Sequence, residues 1–156
     1  MKLTLLCVGK LSSPWLRDGA EDYQARIRRY LPLNVVELKE EKGGKKGDPR
    51  QVRDGEGERL LQRLGSDVPL LVLDENGKGC SSEELAQLLE NRMLNGTQEL
   101  AFVIGGAYGL SDAVKKRGKL LSLSRMTLTH QMARLLLCEQ IYRGLTIIRN
   151  EPYHNR

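Results

Sequence analysis

Glu99-Leu100-Ala101-Phe102-Val103-Ile104-Gly105-Gly106-Ala107-Tyr108-Gly109 is the stretch on which the reading of the fold turns. Glu99–Ile104 reads as an apolar strand, the pattern of one buried on both faces of a sheet. Three glycines then fall within five residues. Glycine tolerates positive φ and has no side chain to obstruct approach, so a bend of this kind at a strand end lets a ligand lie against backbone. The spacing is not G-x-G-x-x-G, and no G-x-x-x-x-G-K-[ST] phosphate loop occurs, so neither a dinucleotide nor ATP is implied.

Outward from this stretch, Lys2–Val8 and Val68–Leu73 read as buried strands, Asn34–Glu41 as an alternating one and Leu120–Leu123 as a short last one. Ser13-Pro14 opens a helix to about Tyr30, closed by Pro32, and a second helix reaches about Leu64. Between them the Gly- and Lys-rich run Glu41–Pro49 reads as a mobile basic connector. Asp74-Glu75-Asn76-Gly77 is a turn signal. Ser81-Ser82-Glu83-Glu84 is a capping box for a helix to about Leu94, stopped by Asn95-Gly96. Ser111 caps a short helix ending at Gly118. From His130 to Ile148, Met132, Leu135, Leu136, Ile141, Tyr142, Leu145 and Ile148 recur at helical spacing.

This alternation predicts a single α/β domain over residues 1–156, with a mostly parallel sheet and helices on both faces. In such sheets ligands sit off the carboxyl ends of the strands. Those ends are Leu73-Asp74, Ile104-Gly105 and Leu123-Ser124, three loops expected to converge on one crevice.

Composition narrows the function. Aromatic residues make up only 4% of the chain, too few for a groove that stacks a run of single-stranded bases. The net charge of +5 is unevenly spread: +4 over residues 1–50, −6 over 51–112 and +7 over 113–156. The C-terminal segment is therefore where an anion such as a phosphate backbone would bind, unless its basic residues are only a solvated face. The three cysteines are odd in number and widely spaced, as expected of reduced thiols in the cytosol. Two histidines, with no C-x-x-C pair and no H-E-x-x-H, provide almost nothing for a metal site. The apolar start Leu3–Val8 is too short for a signal peptide, and no run of roughly 18 apolar residues predicts a membrane span.

Several segments together are similar to a known family: Leu73-Asp74 with its turn, Phe102–Leu110, Leu121-Ser122-Leu123-Ser124, Arg134–Arg143 and Pro152-Tyr153-His154. Over essentially its whole length the chain resembles the SPOUT, or trefoil-knotted, methyltransferases, and among them the small bacterial ones that act on ribosomal RNA. The resemblance implies a C-terminal trefoil knot, which no periodicity could reveal because knots are rare exceptions to the usual topology. It implies a cytoplasmic homodimer that uses S-adenosyl-L-methionine to methylate N3 of a pseudouridine in 23S rRNA of the ribosome. It places the cofactor on Leu73, Gly105 and the stretch Ser124, Arg125, Met126, Thr127, Leu128 and Thr129.

Methyl transfer to an imino nitrogen requires that nitrogen to lose its proton and lie in line with the methyl group. His154 is the one neutral base in the tail, Arg143 could stabilise negative charge on the base carbonyls, and Tyr153 could stack on a flipped-out base. Against these roles, a Tyr-His pair so near a terminus is often frayed, and Arg143 lies four residues after Glu139, the spacing of an ordinary helical ion pair. Pro152 stiffens the approach and favours function for the tail. His130 reads as structural or as a knot contact; core packing is the default for the apolar stripe of the last helix, and the resemblance favours a dimer face. The competing reading is a non-catalytic ribosome- or RNA-binding protein, which would share the basic tail but has no need of three converging loops.

Overall fold

The computed structural model describes residues 1–41 and 47–155, so most of the basic connector, residues 42–46, lies outside the described residues. The chain runs β1 (Lys2–Val8), α1 (Pro14–Ile27), β2 (Leu33–Leu38), α2 (Pro49–Gln62), β3 (Leu70–Gly79), α3 (Ser82–Leu94), β4 (Glu99–Ile104), α4 (Asp112–Arg117), β5 (Lys119–Ser122) and α5 (His130–Ile148). The strands pair in the order β2-β1-β4-β3-β5, every neighbour parallel.

Strand periodicity divides the core into two layers, because successive side chains leave opposite faces. β1 sends Leu3, Leu5 and Cys7 toward α1, α3 and α5, where they meet Ile27, Leu89, Leu137 and Ile141. It sends Leu6 and Val8 the other way, onto Leu60 of α2 and Val114 of α4. β4 repeats the division, with Phe102 in the first layer and Ala101 and Val103 in the second. The expected helices on both faces are there, and both strands are buried throughout their central residues, which is why they read as unbroken apolar runs.

Side-chain caps fix where four helices begin. Asp48, Ser81, Ser111 and Thr129 each accept a hydrogen bond from a first-turn N–H, and Glu84 returns the bond to Ser81 to complete the capping box. α1 stops at Ile27, short of Tyr30, because the chain tightens there: Arg29 and Tyr30 donate to carbonyls only three residues back, ahead of Pro32. β2 ends at Leu38 rather than Glu41, since Gly9 N–H to the Leu38 carbonyl closes the ladder with β1.

The clearest departure is in β3. The turn expected at residues 74–77 is a bulge inside a strand that resumes, so that both Leu73 and Lys78 stand opposite Leu121. The turn chemistry was legible, for Asp74 accepts the Asn76 N–H at 2.8 Å. The return of the chain to the sheet depends on Gly77, where a Cβ would lie 2.7 Å from the Leu121 nitrogen.

Candidate active site

Off the carboxyl ends of β3, β4 and β5 lies an open crevice of about 1110 Å3. Leu73 and the bulge after it form one wall, Gly105–Leu110 the floor, and Leu123, Ser124 and residues 126–131 with Ala133 the opposite wall. Of the residues assigned to a cofactor from sequence, Leu73, Gly105, Ser124, Met126, Thr127, Leu128 and Thr129 line this crevice. Arg125 is exposed and is not part of its lining.

The floor needs its glycines for different reasons. A Cβ at Gly105 would lie 2.8 Å from the backbone C and O of Gly109 and from Leu110 Cγ, so the loop closes on itself only without one. Gly109 has φ +83°, and its N–H reaches the Gly106 carbonyl at 3.0 Å, which folds the loop into a tight turn. On the facing wall the Ser122 hydroxyl donates to the Ser124 carbonyl at 2.8 Å, and Ser124 Oγ accepts the Met126 N–H at 3.0 Å. The Thr127 hydroxyl donates to Glu75 Oε2 at 2.6 Å, joining this wall to the β3 bulge. Beneath the bulge Asp74 pairs with Lys115 at 3.0 Å. Burial works to raise the Asp74 carboxyl, but the Asn76 N–H and Lys115 outweigh it and hold it below its ordinary value.

Arg143, Tyr153 and His154 come together, but elsewhere. The tail folds back on the C-terminal half of α5. Arg143 Nε donates to Glu139 Oε1 at 3.0 Å, the Tyr153 hydroxyl donates to the same oxygen at 3.0 Å, and the guanidinium lies over the Tyr153 ring at 4.7 Å. Tyr153 also packs edge-on to Tyr142 at 4.6 Å. His154 is held between Arg143 Nη1 at 3.1 Å from Nδ1 and Glu83 Oε1 at 3.0 Å from Nε2. A guanidinium can only donate, so Nδ1 accepts and the ring hydrogen sits on Nε2, facing the Glu83 carboxylate. Burial, reinforced by hydrogen bonds with Tyr23 and Glu139, raises the Tyr153 hydroxyl well above its ordinary value. None of these three residues lines the crevice. At 1.5 Å per residue, Arg143 lies about 20 Å along α5 from His130 at the crevice.

A family model described as predicted SPOUT methyltransferase matches residues 1–154. The chain belongs to the SPOUT methyltransferase family. It is 59% identical over 157 aligned residues, covering 100% of both chains, to the ribosomal RNA large subunit methyltransferase H of Syntrophotalea carbinolica. It is 51% identical to the protein of that name from a Geobacter species, over 99% of each chain. With that of Geotalea daltonii it shares 49% identity, over 99% of this chain and 100% of the relative. The solved structure of TrmJ from Z. mobilis ZM4 aligns at a TM-score of 0.49 and 14% identity, covering 99% of this chain and 73% of that one, a likeness too slight to bear on the site.

The crevice suits the cofactor that SPOUT methyltransferases generally use, S-adenosylmethionine. Leu73, Ile104, Leu110 and Leu128 offer apolar surface for an adenine ring, and the glycine floor and Ser124–Thr129 offer backbone groups. Ser12, Ser13, Arg53 and Lys115 bring polar and cationic groups for a ribose and a carboxylate, and of these the sequence reading marked only Ser13, as a helix start. No local pattern singles out Ser12 or Arg53, since they are brought to the crevice by tertiary packing of the segment before α1 and of α2. Cys7 and Cys138 are core residues, their thiols pushed up to about 12 and about 11 by burial, while Cys80 is exposed. Among the described residues no group of three His, Cys, Asp or Glu is placed to hold a metal ion, and no helix is long and apolar enough to cross a membrane.

Proposed function

We propose that this chain uses S-adenosyl-L-methionine to methylate N3 of a pseudouridine in 23S rRNA of the large ribosomal subunit, as a cytoplasmic homodimer that needs no metal. The observation that carries this reading is the convergence of three strand-end loops on one glycine-floored crevice. Full-length relatives that share about half or more of its residues, each named ribosomal RNA large subunit methyltransferase H, supply the substrate class.

Bound in the crevice, the cofactor supplies an electrophilic methyl group. The residues of this chain bind it, orient the base and move one proton. Leu73, Ile104 and Leu128 exclude water around the ring, and the glycine floor allows backbone contact. The base is handled by Tyr153, His154 and Arg143. Because these residues lie about 20 Å from the crevice of their own chain along α5, they serve the crevice of a second copy. The apolar stripe of α5 supports this arrangement, since it divides in two. Leu137, Ile141 and Leu145 cover the sheet, whereas Met132 and Leu135 are half-buried and Leu136 is exposed on the outer side. When a flipped-out base displaces the guanidinium from His154 Nδ1, that lone pair takes the imino proton and Arg143 neutralises charge on the base carbonyls.

Calorimetry with S-adenosylmethionine, followed by methyl incorporation into ribosomes with and without prior pseudouridylation, tests the reading. Cofactor binding with transfer only to pseudouridylated ribosomes supports it. Ribosome binding without cofactor binding would establish the non-catalytic alternative instead.

A further inference from the structure

Glu56 on α2 is 4% exposed, and the roles above leave it unused. One carboxylate oxygen, Oε2, accepts the Glu41 N–H at 3.0 Å. The other, Oε1, is buried without a hydrogen-bond partner. It is aimed at the crevice floor: a Cβ built on Gly106 would lie 3.3 Å from it, and 3.1 Å from Val8 Cγ1 on the same side. Gly106 itself lines the crevice. One layer of backbone therefore separates a buried carboxylate from whatever lies on the glycine floor.

Among the described residues, Glu40 and Glu41, beyond the end of β2, and Arg59 on its own helix act electrostatically on Glu56, and Val8 of β1 and Gly106 of the glycine loop lie beside it. The Arg59 guanidinium is engaged with Glu41 at 3.1 Å and with the Lys39 carbonyl at 2.7 Å. Among the described residues, Glu56, Glu40 and Glu41 outnumber Arg59 here and leave an excess of negative charge under the floor. Burial raises the Glu56 carboxyl above its ordinary value, while the Glu41 N–H and Arg59 oppose that rise. The acids on the open side differ in kind: Asp74 is neutralised by Lys115, and Glu75 and Asp112 are exposed to water, which screens them.

We infer that Glu56 makes the crevice selective for a cationic occupant, so that the sulfonium cofactor is held more tightly than the neutral thioether it leaves behind. This rests on the methyltransferase reading of the crevice. The two ligands share adenosine and amino-acid groups and differ by one methyl and one positive charge. A carboxylate excluded from water under the floor attracts that charge through a medium less screening than solvent, and it gains nothing from the thioether. The absence of a side chain at Gly106 is what allows the charge to be felt so closely. The consequence for turnover is easier release of spent cofactor.

The test is a ratio of dissociation constants, S-adenosylhomocysteine over S-adenosylmethionine, measured by calorimetry on the full chain. Glu56→Gln keeps an acceptor for the Glu41 N–H and removes the charge. The ratio should fall about fivefold or more, as expected for loss of a favourable charge interaction in a partly screened site. Glu56→Asp, which keeps the charge, should retain most of the wild-type ratio. Glu56→Leu is a second neutral variant in case the glutamine protein does not fold. An unchanged ratio in a folded neutral variant overturns the inference, and so does equal weakening of both ligands, which would make Glu56 a brace for the loop. If the wild type binds neither ligand, the reading of the crevice itself fails.

Discussion

The two halves of α5 serve regions built on opposite plans. At its N-terminal end, the crevice is open, floored by glycines and walled by loops whose hydrogen bonds are mostly internal, such as Ser124 to Met126 and Thr127 to Glu75. At its C-terminal end, Arg143, Tyr153 and His154 are saturated, each polar group tied to Glu139, Glu83 or one another. An open region keeps binding capacity available; a saturated one has to exchange its partners before it can act. On the proposed reading, cofactor binding can be complete within one chain, whereas engagement of the base would require the tail cluster to give up internal bonds.

The largest break in that comparison comes from the floor. Gly105→Val would set a branched side chain against the Gly109 backbone only 2.8 Å away, where no flexible atom can yield. Binding of S-adenosylmethionine should fall by about 100-fold or more, with a stability loss of roughly 2–4 kcal/mol from overpacking. Calorimetry and urea titration measure both, and wild-type affinity in this variant would remove the glycine loop from the site.

Removing residues 153–156 should act the other way. Cofactor affinity should stay within about twofold, because none of the described tail residues lines the crevice of its own chain, while methyl transfer falls by about 100-fold or more as base-handling groups disappear. Equal loss of binding and transfer would mean that the tail and crevice are one unit within a single chain. Leu136→Glu tests how the two regions meet. Leu136 is 36% exposed, so the charge is tolerated in a monomer but not in an apolar contact between copies. Sedimentation should show monomers that bind cofactor and have lost most transfer. Ile141, on the buried side at 1% exposure, would unfold the chain instead and cannot report on assembly.

What the sequence revealed follows the same division. β4 and α5 were legible, because a doubly buried strand and a long run of apolar residues at helical spacing carry strong local signals. The convergence of Asp74, Gly105 and Ser124 was legible too, as it follows from parallel topology. The β3 bulge was not, since a turn and a strand that resumes after it share the same Asp-Glu-Asn-Gly chemistry and only pairing with Leu121 tells them apart. Nor could spacing show that Arg143 and His154 would be neighbours far from the crevice, or that Glu56 would lie under Gly106. Those depend on which elements pack together, and a glutamate on a polar-looking helix reads as solvated until a neighbour covers it.

The smallest effect concerns two carboxyls on either side of the crevice floor, whose stabilities should respond to pH with opposite sign. The Asp74 carboxyl is held below its ordinary value of 3.8, so its pairing with Lys115 stabilises the fold above that value and is lost as pH falls through the folded-state pKa. Glu56 is raised above its ordinary 4.5, so between those two values the folded state holds more protons than the unfolded chain and stability falls as pH rises. Above that window the wild type carries the full penalty of a buried charge. Glu56→Gln does not, and should be the more stable protein near neutrality by about 1 kcal/mol, a Tm gain of roughly 2–4 °C at this chain length. The gain should shrink toward zero as pH falls to the ordinary glutamate value, where Glu56 is protonated in the folded protein. Urea midpoints of both proteins across that range measure it. A gain independent of pH would mean that the glutamine stabilises by packing alone, and that Glu56 carries no buried charge to stand under the crevice.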